Sequence, residues 1–258
     1  MAILWKKHLD GTCYEVRSAG STRRLYTDGV FHSQYNPKKK LSGGIWDLLM
    51  LPIFFSEPHK IKRVLVLGVG GGTVIQQLKR YSGVEKIIGV ELNPVHLQVA
   101  RKYFGVTKSL AELHQADAVK WLKKYKGPKF DLIIEDLFGE QDGEPLRAVP
   151  ASASWVQTLN KNLSHNGILV MNFIGTSEMR RAAFYANELV NKKFQSAFQF
   201  TLPMYENVIA AFLKFDGDTT SLRNNIAQTA GLNTSQSKQQ LKFRVRKITK
   251  GATSVAPF

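Results

Sequence analysis

One stretch constrains this chain more than any other. Val64-Leu65-Val66-Leu67-Gly68-Val69-Gly70-Gly71-Gly72-Thr73 sets a glycine-rich turn directly between an apolar run of strand length and a helical pattern. Glycines at such a junction permit a tight turn and let a ligand approach the backbone. Downstream, strands are predicted at Lys86–Val90, Leu113–Gln115, Phe130–Ile134 and Gly167–Ile174, with helices at Thr73–Tyr81, Pro94–Tyr103, Ala118–Lys124, Ser154–Leu163 and Ser177–Asn191. Strands alternating with helices in this way define an α/β fold built on a parallel sheet with crossover helices. Phe198–Leu202 and Val208–Phe215 read as a closing strand pair, which gives the mostly parallel sheet an antiparallel edge strand.

Upstream, Cys13–Ala19, Arg24–Tyr26 and Val30–Tyr35 read as short strands joined by Ala19-Gly20-Ser21 and Thr27-Asp28-Gly29, a small N-terminal β-meander. Ile45–Phe55 is a helix-like apolar stretch closed by Pro58. Past Asp216 the chain turns polar: Thr219–Ala230 can form a helix, and Lys238–Phe258 is basic and poorly patterned. The expected division is a meander over 1–40, a nucleotide-binding domain over 41–217 and a basic extension over 218–258.

Several classes of protein are set aside by composition. Cys13 is the only cysteine, so an intramolecular disulfide or a CxxC redox pair cannot form. The N-terminus lacks the order of a signal peptide, and the longest apolar run, Leu48–Phe55, is too short to span a bilayer. A soluble cytoplasmic protein without membrane partners is expected. Histidines lack ligand-like spacing and no Ser or Cys sits in a nucleophile motif, so neither a metal nor covalent catalysis is expected. The net charge of +16 attracts polyanions, yet no aromatic-rich nucleic-acid motif accompanies the basic runs, and a solvated basic surface ranks ahead of a nucleic-acid partner.

The glycine turn gains meaning from two acids. Glu91 ends the second strand 19 residues after Gly72, where a carboxylate can accept from both hydroxyls of a ribose, and Asp117 follows the third. In a doubly wound sheet these strand ends share one crevice, so Gly68, Gly70, Gly71, Gly72, Glu91, Leu92, Asp117 and Ala118 are expected to hold an adenosyl group. The plainer reading makes Glu91 a surface acid and Asp117 a helix N-cap. The glycines run GxGGG and lack the last glycine of GxGxxG, which suits an adenosyl sulfonium better than a dinucleotide pyrophosphate.

Residues 135–144 carry −5 against +21 for the rest of the chain. An acidic mouth at the C-terminal edge of the sheet would concentrate a cationic acceptor. Asp136 is the first candidate for the carboxylate that orients and deprotonates an amine, and Glu135 the second; the alternative has Asp136 bonding an amino group of the bound nucleotide.

These motifs, with Arg24-Leu25-Tyr26-Thr27-Asp28-Gly29-Val30, Leu51-Pro52-Ile53-Phe54 and Phe130-Asp131-Leu132-Ile133-Ile134-Glu135-Asp136, resemble in order those of the spermidine synthase (polyamine aminopropyltransferase) family, from about Tyr14 to Phe215. The resemblance implies a Rossmann-like fold shared with class I methyltransferases, S-adenosylmethionine or its decarboxylated form as donor, and an amine acceptor. The chain departs from the family at four places. Gly71 replaces an Asp that contacts the aminopropyl amine, His32 replaces a Gln, Gly44-Ile45-Trp46 replaces a Tyr-His-Glu polyamine cluster, and Gly139 replaces a second acid that serves as base. Aminopropyl and methyl transfer therefore both stay open, with methyl transfer at least level. A polyamine or a protein amine ranks ahead of nucleic acid as acceptor, and a homodimer is left open. The competing class is a catalytically inactive nucleotide-binding module whose basic face holds RNA or an acidic partner.

Overall fold

A computed structural model describes residues 1–141, 144–235, 237 and 241–249. Left-handed backbone at Asp10-Gly11, Gly20 and Asp28-Gly29 turns the start of the chain into consecutive antiparallel hairpins. They join β1 (Ala2–Leu9), β2 (Thr12–Ala19), β3 (Thr22–Thr27) and β4 (Val30–Tyr35) in one sheet of order β1-β2-β3-β4. β1 has no counterpart in the sequence reading. It is exposed along nearly its whole length, so it carries none of the alternation that a half-buried strand shows. Val16 and Leu25 from this sheet pack with Val99 and Phe104, which ties the meander to the helix that follows the second parallel strand.

Next comes α1 (Ile45–Met50), continued by a 3-10 turn over Leu51–Phe55. Strand and helix then alternate through β5 (Arg63–Leu67), α2 (Thr73–Tyr81), β6 (Lys86–Glu91), α3 (Pro94–Tyr103), β7 (Glu112–Gln115), α4 (Ala118–Lys124) and β8 (Phe130–Glu135). The acidic stretch contains a hairpin of β9 (Phe138–Gln141) and β10 (Glu144–Arg147); Asp142 and Gly143 lie outside the described residues. α5 (Ala153–Asn162) leads into β11 (Leu163–Phe173). The helix expected over Ser177–Asn191 is three short pieces, α6 (Thr176–Arg181), α7 (Ala183–Ala186) and α8 (Glu188–Asn191). Ala182 and Asn187 interrupt them with extended backbone, a break that helical spacing of apolar residues does not reveal.

β12 (Ser196–Thr201), β13 (Val208–Leu213), α9 (Thr219–Gln228) and β14 (Arg244–Lys247) complete the chain. The main sheet runs β14-β12-β13-β11-β8-β5-β6-β7. From β7 to β11 all neighbours are parallel, while β13 and β14 pair antiparallel with theirs. β14 falls inside the stretch read as poorly patterned. Its side chains are mostly exposed cations, so only backbone pairing to β12 identifies it as a strand. The rest of that stretch, apart from 241–249, lies outside the described residues.

Both faces of the sheet are covered, as a parallel sheet requires. One face packs Leu48, Ile53, Phe54 and Leu78 against Val64, Val66 and Ile134; the other packs Leu122, Trp155, Leu159 and Phe184 against Leu65, Ile133 and Leu169. Among the described residues no helix is long and apolar enough to cross a membrane.

Asp47 joins three segments on the first face. It is 2% exposed and accepts from Ser42 N at 2.9 Å, Ser42 Oγ at 2.6 Å and Gly43 N at 2.8 Å, and also from Gln77 of α2. Burial raises its pKa, and these donors offset much of that cost. Removing the carboxyl leaves the buried Gln77 amide without this acceptor and frees three part-buried donors of Ser42 and Gly43. Asp47→Ala is expected to lower unfolding free energy by about 2–4 kcal/mol, measured as a reduced urea midpoint with the denaturant slope unchanged.

Candidate functional site: the cleft at the strand ends

Strand order reverses between β5 and β8: β6 and β7 lie to one side of β5, and β8 and β11 to the other. A crevice opens outside the carboxyl ends of strands at such a point. Here it is a cleft of about 840 Å³ bordered by the ends of β5, β6, β7, β8 and β11, and roofed by the meander and α1.

The floor is fixed by backbone. Gly68 N donates to Val90 O at 2.9 Å, and Asp136 N donates to Leu67 O at 2.8 Å, so the ends of β5, β6 and β8 are locked side by side. Gly68 has φ +84°, and a Cβ on it would lie 2.0 Å from the carbonyl oxygen of Asp136. No other residue type fits that contact.

The amides of the glycine turn are already engaged. Val69 N and Gly70 N both donate to Glu91 Oε2 at 2.9 Å, Gly71 N donates to Ser33 Oγ of β4 at 2.7 Å, and Gly72 N donates to Val69 O at 2.8 Å. Glu91, 9% exposed, also receives Asn93 N on Oε1 at 2.9 Å. It is therefore no surface acid. A pyrophosphate cradle needs free N–H groups at the turn and the helix start, and this turn offers none.

Gly68 and Gly70 border the cleft, but Gly71 and Gly72 do not. A Cβ on Gly71 would sit 2.7 Å from the Phe104 ring and 2.8 Å from Ser33 Cβ; one on Gly72 would sit 2.6 Å from Val106. These two glycines let the turn pack against β4 and the segment after α3. Leu92 stands 68% exposed on the rim beside Asn93, and Ala118 lines the wall at the start of α4. Asp117 lines the cleft and also caps α4, accepting from Lys120 N at 2.8 Å.

The two candidate catalytic acids part company. Alternate residues of a strand point to opposite faces, and Glu135, the last residue of β8, is fully buried away from the cleft. There it holds the Arg147 guanidinium and, at 3.4 Å, Trp155 Nε1. Burial pushes its pKa up and Arg147 opposes that shift. Glu135 thus anchors the hairpin end at Arg147 and has no access to a ligand in the cleft. Asp136 lines the cleft, accepts from Asn172 Nδ2 at 2.8 Å, and is pushed up to about 6 by burial.

Three further wall residues escaped the sequence reading. Tyr14 hydroxyl accepts from Asn93 Nδ2 at 3.0 Å, and Asn93 caps α3. His96 shares a hydrogen bond with Thr27 Oγ1 at 2.9 Å, and its ring centroid lies 4.9 Å from that of His32. Burial pushes both imidazoles down to about 4, with His96 also lowering His32, so neither carries charge at neutral pH. Asn172 stands in an apolar strand, a polar interruption that could have been noticed. His96 looked like one more residue of an amphipathic helix and gave no such signal. Among the described residues no group of three or more His, Cys, Asp or Glu could hold a metal ion.

Fold and cleft together define a Rossmann-like protein of the kind shared by methyltransferases and spermidine synthases. A probable spermidine synthase from Corynebacterium glutamicum superposes with TM-score 0.69 at 15% identity, covering 89% of this chain and 88% of that one. Human methyltransferase-like protein 13 in complex with SAH gives TM-score 0.57 at 17% identity over 81% of this chain and 96% of that one. Residues 48–225 match the spermine/spermidine synthase domain, and the chain belongs to that family. Polyamine aminopropyltransferase 2 of Caldanaerobacter subterraneus subsp. tengcongensis is 28% identical over 170 residues, 64% of this chain and 55% of the relative. The chain spans about half the length of the curated relatives it matches.

Gly68→Ala should therefore lose at least about 3 kcal/mol of stability, whereas Gly139→Ala, with nothing within 4 Å of its added carbon, should be neutral. Urea unfolding of the pair checks this; equal midpoints would overturn the locked-floor account.

Proposed function

We propose that this chain is a transferase that moves an alkyl group from an adenosyl sulfonium to an amine. Family membership points to decarboxylated S-adenosylmethionine as the donor. The observation that carries the reading is the placement of Asp136 in the same cleft as Gly68, Gly70 and Glu91, with a carboxyl whose pKa is about 6.

The lining fits the adenosyl group in kind. The turn has no N–H to spare for phosphate, and an adenosyl sulfonium has none to offer. Glu91 has about four acceptor sites and three are filled by Val69, Gly70 and Asn93, which leaves room on Oε1 for a hydroxyl. Leu92 and Ala118 supply apolar surface for a purine, and Asp117 an acceptor for its amino group. The donor, when bound, supplies a carbon made electrophilic by the adjacent sulfonium. For its part the chain must exclude water, hold the amine in line at about 3–3.5 Å and take its proton. Asp136 is ionised at neutral pH yet basic enough to accept that proton, an arrangement general base catalysis favours. With His32 and His96 uncharged, no imidazolium competes with a cationic acceptor for it.

A second reading, methyl transfer from S-adenosylmethionine, is favoured by Gly71. A side chain there is blocked by Phe104 and Ser33, so no carboxylate can stand where the family places one for the aminopropyl amine. Calorimetry with both donors and with methylthioadenosine, followed by product analysis with polyamines and protein substrates, separates the two. Donor binding without turnover on any amine would favour the inactive binding module instead.

Asp136→Asn is expected to lower kcat by about 10²- to 10⁴-fold while leaving donor affinity unchanged. In the wild type, kcat/KM should fall as pH drops through about 6, because protonation removes the base; that acid limb should vanish from the residual activity of Asp136→Asn. Gly71→Asp should not install aminopropyl specificity. It should instead lower the unfolding midpoint, because its Cβ has no space.

A further inference from the structure

We infer that Asn172, turned by Asn207, is the positioning residue of Asp136 and determines which carboxylate oxygen faces the acceptor. Asn172 is the penultimate residue of β11, beside β8, in the run Ile168-Leu169-Val170-Met171-Asn172-Phe173. It is 2% exposed. A primary amide in such a place is costly unless its polar atoms are bonded, and they are. Nδ2 donates to Asp136 Oδ1 at 2.8 Å, and Oδ1 accepts from Asn207 Nδ2 at 3.1 Å.

The chemistry fixes the orientation of the amide. An ionised carboxylate only accepts, so Asn172 must turn its nitrogen toward Asp136 and its oxygen toward a donor. Asn207, just before β13, supplies that donor and so opposes a flip. The main chain of Asn172 is held as well, since its carbonyl accepts from Arg147, the same guanidinium that pairs with Glu135. Asn172 fills one acceptor site of Oδ1, and no donor among the described residues reaches Oδ2, so Oδ2 is the freer oxygen for the amine. Asn172 and Asn207 both border the cleft with Asp136 and Glu206, and β11 and β13 lie on the opposite side of β5 from β7, which Asp117 follows.

The inference rests on the transferase reading of the cleft, and its test separates the two. Selective ¹³C labelling of aspartate carboxyls in the full chain, with Asp136 assigned by its loss in Asp136→Asn, gives the titration of this group with no ligand present. Asn172→Ala removes a donor that favours the ionised form, and should raise the midpoint above the wild-type value of about 6. Asn172→Asp keeps the shape but puts a like charge against Asp136, and should raise it further. The other charged groups that bear on Asp136 are Arg147, which lowers its pKa, and Glu91, which raises it; Glu135 adjoins it in sequence. All three are unchanged in these variants. The milder variant Asn207→Ala should shift the midpoint in the same direction by less.

In turnover with putrescine or spermidine and whichever donor the wild type uses, Asn172→Ala should lose about 10- to 100-fold in kcat, keep its donor Kd, and move its acid limb with the carboxyl midpoint. An unmoved Asp136 titration in folded Asn172→Ala and Asn207→Ala, or full kcat in both, would overturn the inference. Should the wild type turn over neither these polyamines nor protein amines with either donor, the transferase reading fails, while the carboxyl titration still decides whether Asn172 holds Asp136. If Asn172→Ala does not fold, Asn207→Ala carries the test alone.

Discussion

Everything at the working end of this molecule depends on an absent side chain. With no Cβ at Gly68, the end of β5 closes on the carbonyl of Asp136, and the Gly68 amide reaches Val90 at the end of β6. Three strands thereby finish side by side, and the acids at the ends of two of them, Glu91 closing β6 and Asp136 just after β8, border one space. The locking is done by main chain, which is stiffer than any side-chain contact and is shared with the sheet itself.

The glycine turn is a second economy of the same kind. Its amides serve the protein: Glu91 binds two of them and Ser33 a third. A glycine-rich turn after a first strand is easily taken as a phosphate cradle, and here the turn's own amides are spent inside the protein. Glu91 acts as a clasp between β6 and the turn before it can act on any ligand, and Ser33 brings the meander into the same construction. The meander thus does more than roof the cleft, because Ser33 of β4 packs against the turn and binds one of its amides.

Much of this was legible in the sequence, for reasons of period and chemistry. β5, β6 and β8 are short strands buried along most of their length, so each stood out, and the acids at the strand ends followed from chain order. Glu91 and Asp117 were expected at the crevice and are found there. What could not be read shares a cause: it depends on partners distant in sequence. Gly71 and Gly72 were expected to face a ligand, but they face Phe104 and Val106, a packing relation that no local pattern records. Glu135 and Asp136 are adjacent acids of one type, and only the pleat of β8 and the arrival of Arg147 from a later hairpin tell them apart. β1 and β14 are too exposed to have a hydrophobic period, and the breaks around Ala182 and Asn187 are backbone events that apolar spacing does not encode.

β14 has a consequence of its own. Without it, β12 would be the outermost strand, and its Phe198 and Phe200 alternate along a straight run whose unpaired amides would template another chain. Arg244, Arg246 and Lys247 place cations on the border instead, and two such borders repel each other. The basic segment that looked like surplus charge thus works as a selvedge, the finished margin that keeps a woven cloth from catching on its neighbour.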